Sequence, residues 1–312
     1  KRKQVMKKFK SYFKKLKNKF LESDNPFLVY IKHPLETRKK TVISFLIVVL
    51  TVVLIVLINC IYRGGFYNYN TDDIMQNYPF MHSFIDDLKN GRLHLFDRSM
   101  LVGQSQFANA FYIPIDIFTV GVIILSTFMQ AEVAYSFVNM LTPIFGALIL
   151  MKIFFNKNYK NKTVFIGALI FVYGGMSQAY MVWPTFNELS FYAPLGMLIV
   201  EKFLKDKNKW YLIPLYAFAV VLYNFYFAYM LFAFFMIYML IMLFVNNKAD
   251  FFGKRGFYRN GEFWFYLISS LSLIVLGLGM GMTIFLPGFL YQIIETAPKH
   301  VDTFSLFKFP RT

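Results

Sequence analysis

Long hydrophobic runs alternate with short polar connectors along most of this chain. The first run extends from about Thr41 to Tyr62. Six later runs cover about residues 131–155, 163–180, 191–204, 210–222, 225–245 and 263–285. About 20 apolar residues in a helix cross the roughly 30 Å hydrocarbon core of a bilayer. The pattern therefore predicts an all-α polytopic membrane protein with about seven transmembrane helices, two of which, 191–204 and 210–222, are near or below the usual spanning length.

A further apolar run, Phe111 to Phe128, decides the topology and is interrupted by Pro114 and Asp116. If this run does not cross the membrane, the basic connectors near residues 157–162, 205–209 and 248–259 all lie inside, and only seven of the 33 Lys and Arg lie outside. The positive-inside rule favours that arrangement. We therefore predict a re-entrant or interfacial element in a large outer loop, 63–130, covered by protein or a water-filled cavity because irregular backbone needs such cover at membrane depth.

Charge is concentrated at the N-terminus, since 14 of the 33 Lys and Arg fall within the first 40 residues. The net charge of +16 is therefore a signal of membrane orientation and does not indicate nucleic-acid binding. Residues 1–40 are predicted to form a cytoplasmic basic arm, either an interfacial amphipathic helix over Lys1 to Phe20 or a solvated tail. The transmembrane domain is expected over 41–290. An outer tail, 291–312, is compatible with continuation in a longer protein.

Two adjacent carboxylates, Asp72 and Asp73, follow the first span on the predicted outer side. Like charges so close disfavour double ionisation, so at least one pKa is expected to rise in a partly desolvated site. Such a carboxylate can serve as a general base or help to hold a divalent cation, which leaves the cofactor open. A second explanation for Asp73 is helix capping, because Gln76 follows it three residues later. A short amphipathic helix is predicted from Pro79 to Leu88, ending at Asn90-Gly91.

Several motifs occur here in the order found in a known membrane-protein family. They are Asp72-x-x-x-Gln76-x-x-Pro79-Phe80, Asn90-Gly91, Gly103, Phe111-Tyr112-x-Pro114, Trp183 with Asn187-Glu188 and Pro194, and Asn224-Phe-Tyr-Phe-Ala-Tyr229. Over about residues 41–290 the chain resembles the bacterial YfhO membrane proteins, which are similar to glycosyltransferases of the C-type membrane fold.

The resemblance implies a function on the outer face of a bacterial cell membrane. The donor would be a sugar on undecaprenyl phosphate, and the acceptor a cell-envelope polymer such as lipoteichoic or wall teichoic acid. The acidic residue of the first outer loop is the usual catalytic or orienting group of that fold, which assigns the role to Asp72. Thr71 stands where the family has glycine, and Asp73 remains a second candidate.

A lipid-linked donor needs outer-face cations for its phosphate and aromatic side chains for its sugar. The candidate substrate-binding residues are Gln76, Tyr78, Arg63, Arg92, Arg98, Trp183 and Glu188. A simpler explanation makes Arg63 an interfacial anchor at the end of the span and Glu188 an N-cap or solvated loop residue. Asn224 is expected to cap a helix or line the cavity.

Other classes of site find no support in the sequence. The four histidines have no metal-ligand spacing, and there is no Walker, Gly-rich dinucleotide or Gly-x-Ser-x-Gly motif. The remaining alternatives are a transporter of lipid-linked sugars and a non-catalytic scaffold subunit. A transporter would be expected to show charges near mid-membrane and paired broken helices, neither of which is evident in the sequence.

Overall fold

The computed structural model describes residues 34–62, 78–91, 96–97, 104–105, 116–175, 184–246 and 261–296. Within these ranges the chain is almost entirely helical. The helices are α1 (Arg38–Tyr62), α2 (Tyr78–Lys89), α3 (Ile117–Leu125), α4 (Ala131–Asn156), α5 (Asn161–Tyr173), α6 (Pro184–Asn187), α7 (Leu189–Lys205), α8 (Leu212–Tyr223), α9 (Phe225–Asn246) and α10 (Gly261–Thr296). Two-residue strands, β1 (Phe96–Asp97) and β2 (Gln104–Ser105), pair antiparallel between α2 and α3.

Each of the seven predicted spans contains a helix, which confirms the all-α membrane class. Four of these helices are long and apolar enough to cross a bilayer: α1, α4, α9 and α10. The others are shorter, and α5 ends at Tyr173, whereas hydropathy extended that run to 180. In the opposite sense, α10 continues to Thr296, past the predicted end at 285. A seven-span topology therefore remains a prediction for the short helices.

The helices pack into two connected apolar clusters. In one, α1 and α5 pack on the second half of α4 around Phe45, Val49 and Met151. In the other, α7 to α10 pack on α3 and the first half of α4. The helices approach very closely where glycine is present: a Cβ on Gly277 of α10 would collide with the carbonyl oxygen of Pro214 in α8. Small residues at such contacts are typical of membrane helices, which pack by van der Waals contact.

Helix α2 forms where the sequence predicted a short amphipathic helix. Pro79 lies in its first turn, and Gly91 ends it with a positive φ of 63°, a conformation that glycine adopts without strain. Met81 and Ile85 are buried in the larger cluster, so the apolar face of α2 packs against the bundle. At its other end, the Lys89 Nζ donates to the Ser126 carbonyl oxygen just after α3, at 3.0 Å. The helix is thus attached at both ends to the α3–α4 hairpin.

Helices α3 and α4 form an antiparallel hairpin in which α3 is much the shorter helix. With nine residues, α3 is about 14 Å long, too short to cross the hydrocarbon core. It runs antiparallel to α4, because the Phe118 ring contacts the Phe145 ring at a centroid distance of 6.4 Å while a Cβ on Gly121 would contact Val138. Its N-terminus therefore lies near the middle of α4. This geometry is consistent with the predicted re-entrant element, whose placement in a bilayer remains a prediction.

Helix α7 also begins near the middle of α4. A Cβ on Gly146 of α4 would collide with the backbone carbonyl of Ser190, so only glycine allows α7 to start there. At the far end, the Lys157 Nζ lies 2.9 Å from the Glu201 Oε1. The two contacts show that α4 and α7 run parallel. Two short helices, α3 and α7, thus have their N-termini beside the same part of α4.

Candidate functional site

Asp116 caps the N-terminus of α3 and is buried there. Its Oδ1 accepts hydrogen bonds from the backbone amides of Phe118 at 3.0 Å and Thr119 at 2.9 Å. An extended backbone at Asp116 followed by an apolar helix is the usual N-cap arrangement, in which the carboxylate satisfies amides that have no partner within the helix. The favourable interaction of a carboxylate with the helix N-terminus adds to this stabilisation.

Glu188 lies directly before α7, and its side chain meets that of Asp116. Only 3% of Glu188 is exposed, and it forms a hydrogen bond with the Asp116 carboxyl group. Burial raises the pKa of Glu188 well above its ordinary value, and the Asp116 charge and their hydrogen bond add to the effect. Burial also raises the pKa of Asp116, although its hydrogen bonds oppose that rise. Shared burial therefore raises the pKa of both carboxyl groups.

Tyr192 of α7 and Tyr223 of α8 lie beside this acid pair, and Tyr216 of α8 supports Tyr192. The Tyr192 hydroxyl donates to the Asp116 Oδ2 at 3.1 Å, and the Tyr192 ring stacks on Tyr223 at a centroid distance of 4.8 Å. The Tyr216 hydroxyl donates to the Tyr192 carbonyl oxygen at 3.1 Å. Tyr192 lies one turn after Glu188, so both side chains are on the same side of α7. The acid pair is therefore held by α3, α7 and α8 together.

Segments far apart in sequence also meet on one face of α4. The Asn187 Nδ2 donates to the Asn139 carbonyl oxygen at 2.6 Å, which holds α6 on α4. One turn earlier on α4, the Tyr135 ring packs edge-on against Tyr78 at 5.6 Å between centroids. Residues four apart lie on one helix face. The start of α2 and the segment before α7 therefore lie beside adjacent turns of α4.

Of the predicted site residues, the structure describes Tyr78 and Glu188. Tyr78 is buried at the start of α2, where burial and the nearby Glu132 carboxylate raise its pKa and keep its hydroxyl protonated. Glu188 occupies the N-cap position of α7, but its side chain makes no capping hydrogen bond. The interpretation of Glu188 as a solvated loop residue was wrong, because tertiary packing buries it. The remaining candidates lie outside the described residues: Asp72, Asp73, Gln76, Arg63, Arg92, Arg98 and Trp183.

Sequence reasoning missed Asp116 as a site residue and treated it only as an interruption of an apolar run. The available signal was an acidic residue directly before a nine-residue apolar segment, which is a helix N-cap pattern. Asn224 was assigned more accurately, since its Oδ1 accepts from the backbone amide of Phe227 at 3.2 Å and caps α9. Within the described ranges, no group of three or more His, Cys, Asp or Glu could hold a metal ion.

The order of motifs and the helical architecture agree with a comparison against protein families. The model of the family described as bacterial membrane protein YfhO matches residues 44–311. The chain belongs to the YfhO family. Neither curated proteins nor solved structures gave a match. Membership of the YfhO family confirms the suspected resemblance and the assignment to a bacterial, multi-pass membrane protein.

Proposed function

We propose that this YfhO-family protein is a membrane glycosyltransferase that takes a sugar from undecaprenyl phosphate and transfers it to a cell-envelope polymer such as lipoteichoic or wall teichoic acid. The observation that carries the proposal is the meeting of two motif-bearing segments on α4. Tyr78 packs on Tyr135, and Asn187 bonds to Asn139 one turn away. A site for one substrate requires such convergence of distant segments.

The short stretch of chain between Asp72 and α2 limits the distance between them. Asp72 precedes Tyr78 by six residues, so its Cα is within about 22 Å of the buried start of α2. Trp183 precedes Pro184, the first residue of α6, and Glu188 follows that helix directly. The proposed donor site is therefore formed by the outer loop and the α6–α7 junction.

In the proposed reaction the acceptor hydroxyl attacks the anomeric carbon of the donor sugar. The bond from that carbon to the phosphate oxygen breaks, and undecaprenyl phosphate leaves with the bonding electrons. Asp72 takes the proton of the attacking hydroxyl or orients that hydroxyl, and Asp73 assists it. Arg63, Arg92 and Arg98 neutralise the phosphate, while Gln76, Tyr78, Trp183 and Glu188 contact the substrate.

The proposal is tested by replacing Asp72 with Asn and measuring sugar transfer from a purified undecaprenyl-phosphate sugar. Loss of a general base typically costs about 10²- to 10⁴-fold in rate, so D72N should lower kcat by that factor. Asp86→Asn is the matched control on the same outer loop, since Asp86 is exposed and pairs only loosely with His82 at 3.4 Å. Full transfer by D72N would contradict the catalytic assignment.

A transporter of lipid-linked sugars is the second candidate, and one observation favours it. The buried Asp116–Glu188 pair lies where two short helices begin beside the middle of α4, and ionisable groups and interrupted helices are features of transporters. Protein in detergent separates the two functions, because an enzyme releases undecaprenyl phosphate there. A transporter would instead move the intact lipid across a vesicle membrane without cleaving it.

A further inference from the structure

Asp116 accepts hydrogen bonds of a kind that suits an ionised carboxylate. Its Oδ1 accepts from two backbone amides, and its Oδ2 accepts from the Tyr192 hydroxyl. An ionised carboxylate has only acceptors, so all of these bonds can form at once. Hydrogen bonds from donors stabilise the charged form of the carboxyl group. The surroundings of Asp116 thus allow it to remain negative although it is buried.

Glu188 lacks the partners that a second carboxylate would need. Its Oε2 is buried and has no hydrogen-bond partner in the described part of the chain. No Lys, Arg or His there forms an ion pair with Glu188 or with Asp116, and the ion pairs found in those ranges join other residues. Two unpaired carboxylates in contact would be strongly destabilising when buried. Among the groups that the structure describes, a single proton shared by the two carboxyl groups is what would relieve this repulsion.

We infer that Glu188 is a positioning residue: held as a neutral carboxylic acid, it donates its proton to the Asp116 carboxylate and thereby joins the N-terminus of α3 to the N-terminus of α7. The role does not depend on which substrate the protein uses. The hydrogen bond between the two carboxyl groups would connect α3, the proposed re-entrant helix, to α7 of the bundle. The close contact between Gly146 of α4 and the Ser190 carbonyl places the start of α7 beside the middle of α4, where Glu188 can reach Asp116.

The groups that influence the pair set the direction of its pH dependence. Besides each other, the titratable groups that act on the acids within the described ranges are Tyr192 of α7 and Tyr223 of α8. The buried polar residues of α4, Ser136, Asn139 and Thr142, have no titratable side chain. The pKa of Glu188 is raised above its ordinary value of 4.5 by folding. Its contribution to stability is thus complete below pH 4.5 and declines as the pH rises toward the folded-state pKa.

Infrared spectroscopy of the full chain in lipid nanodiscs tests the protonation directly. A protonated carboxyl group has a C=O stretch that disappears on ionisation. At neutral pH, we expect the wild-type spectrum to contain a carboxylic acid band that the spectrum of Glu188→Gln lacks. The corresponding difference for Asp116→Asn should show the loss of a carboxylate band. Loss of a carboxylate band in E188Q would overturn the inference.

Unfolding measurements on two Glu188 variants test the positioning role. Glu188→Gln keeps a neutral donor for Asp116, so its unfolding midpoint should stay near that of the wild type and should depend less on pH above 4.5. Glu188→Ala removes the donor and should lower the midpoint. Equal losses for both variants, or an unchanged pH dependence in E188Q, would contradict a neutral donor. These readouts do not require sugar transfer, so they remain decisive if the proposed enzymatic function fails.

Discussion

Tyr192 illustrates how single residues determine the candidate site. Its hydroxyl bonds to Asp116, its ring stacks on Tyr223, and its backbone carbonyl accepts from Tyr216. In the sequence, Tyr192 is one of 21 tyrosines, and its place at the predicted outer end of a span suggests either stacking on a sugar or lipid or an ordinary interfacial position. Aromatic residues are common at membrane interfaces, so its position carried little information. The contacts with α3 and α8 are what distinguish it.

Replacing Tyr192 with Phe should separate the hydrogen bond from the ring stacking. The variant leaves the Asp116 Oδ2 without one donor in a buried site, and an unsatisfied buried acceptor costs about 1–3 kcal/mol. We therefore expect the free energy of unfolding in detergent to fall by about that amount. The exposed Tyr211 on the same bundle provides the control, and Tyr211→Phe should change stability by less than about 0.5 kcal/mol. Equal values for the two variants would argue against the Asp116 bond.

At the scale of elements, the helix positions are set by close backbone contacts as well as by hydropathy. Helix α10 crosses α8 with Gly277 beside the Pro214 carbonyl and Gly281 beside Val221. Gly279, between them in sequence, has open space around it. Hydropathy treats the three glycines alike, since it reports only the transfer of a segment into the bilayer. Which glycines lie at the contact depends on the rotation of α10 against α8.

Gly277→Ala should therefore disturb the bundle, and Gly279→Ala should not. The added methyl group at 277 would collide with a backbone carbonyl oxygen, a group that cannot move aside without shifting α8. Such overpacking typically costs about 1–3 kcal/mol. At 279 the substitution should be neutral or slightly stabilising, because alanine favours helix more than glycine does. Thermal unfolding of both variants checks the prediction, and equal destabilisation would refute the observed crossing of α8 and α10.

For the whole molecule, the membrane topology depends on which connectors face the cytoplasm. The sequence predicts that α3 does not cross and that Asn90 is outside, whereas Lys160 and Lys207 are inside. The structure contributes that α3 is a nine-residue helix folded back against α4, and that α4 and α7 run in the same direction. If α5 crosses the membrane once between α4 and α7 in the sequence, α4 and α7 must run in the same direction, as they do. The side of each connector remains a prediction.

Cysteine labelling of intact cells tests this topology. The chain has one cysteine, the buried Cys60, which can be replaced by Ser to give a background without thiols. Single cysteines would then be introduced at the exposed positions Asn90, Lys160 and Lys207. A membrane-impermeant maleimide should label N90C in intact cells, and K160C and K207C only after the cells are opened. Labelling of K160C from outside would mean that α3 crosses the membrane and that the parity is reversed.

The sequence by itself determined the membrane class, the family and the approximate helix positions, and it offered capping as one of two roles for Asn224. These depend on local properties, namely the transfer free energy of each segment and the order of short motifs. Only the tertiary structure decided that Asp116 meets Glu188, that Tyr192 joins them, and that α3 and α7 begin beside the middle of α4. Lipid and apolar side chains are equally hydrophobic, so the lateral pairing of helices depends on shape complementarity, such as the close contact at Gly146. Hydropathy contains no record of that complementarity, and the buried acid pair could be found only from the packed helices.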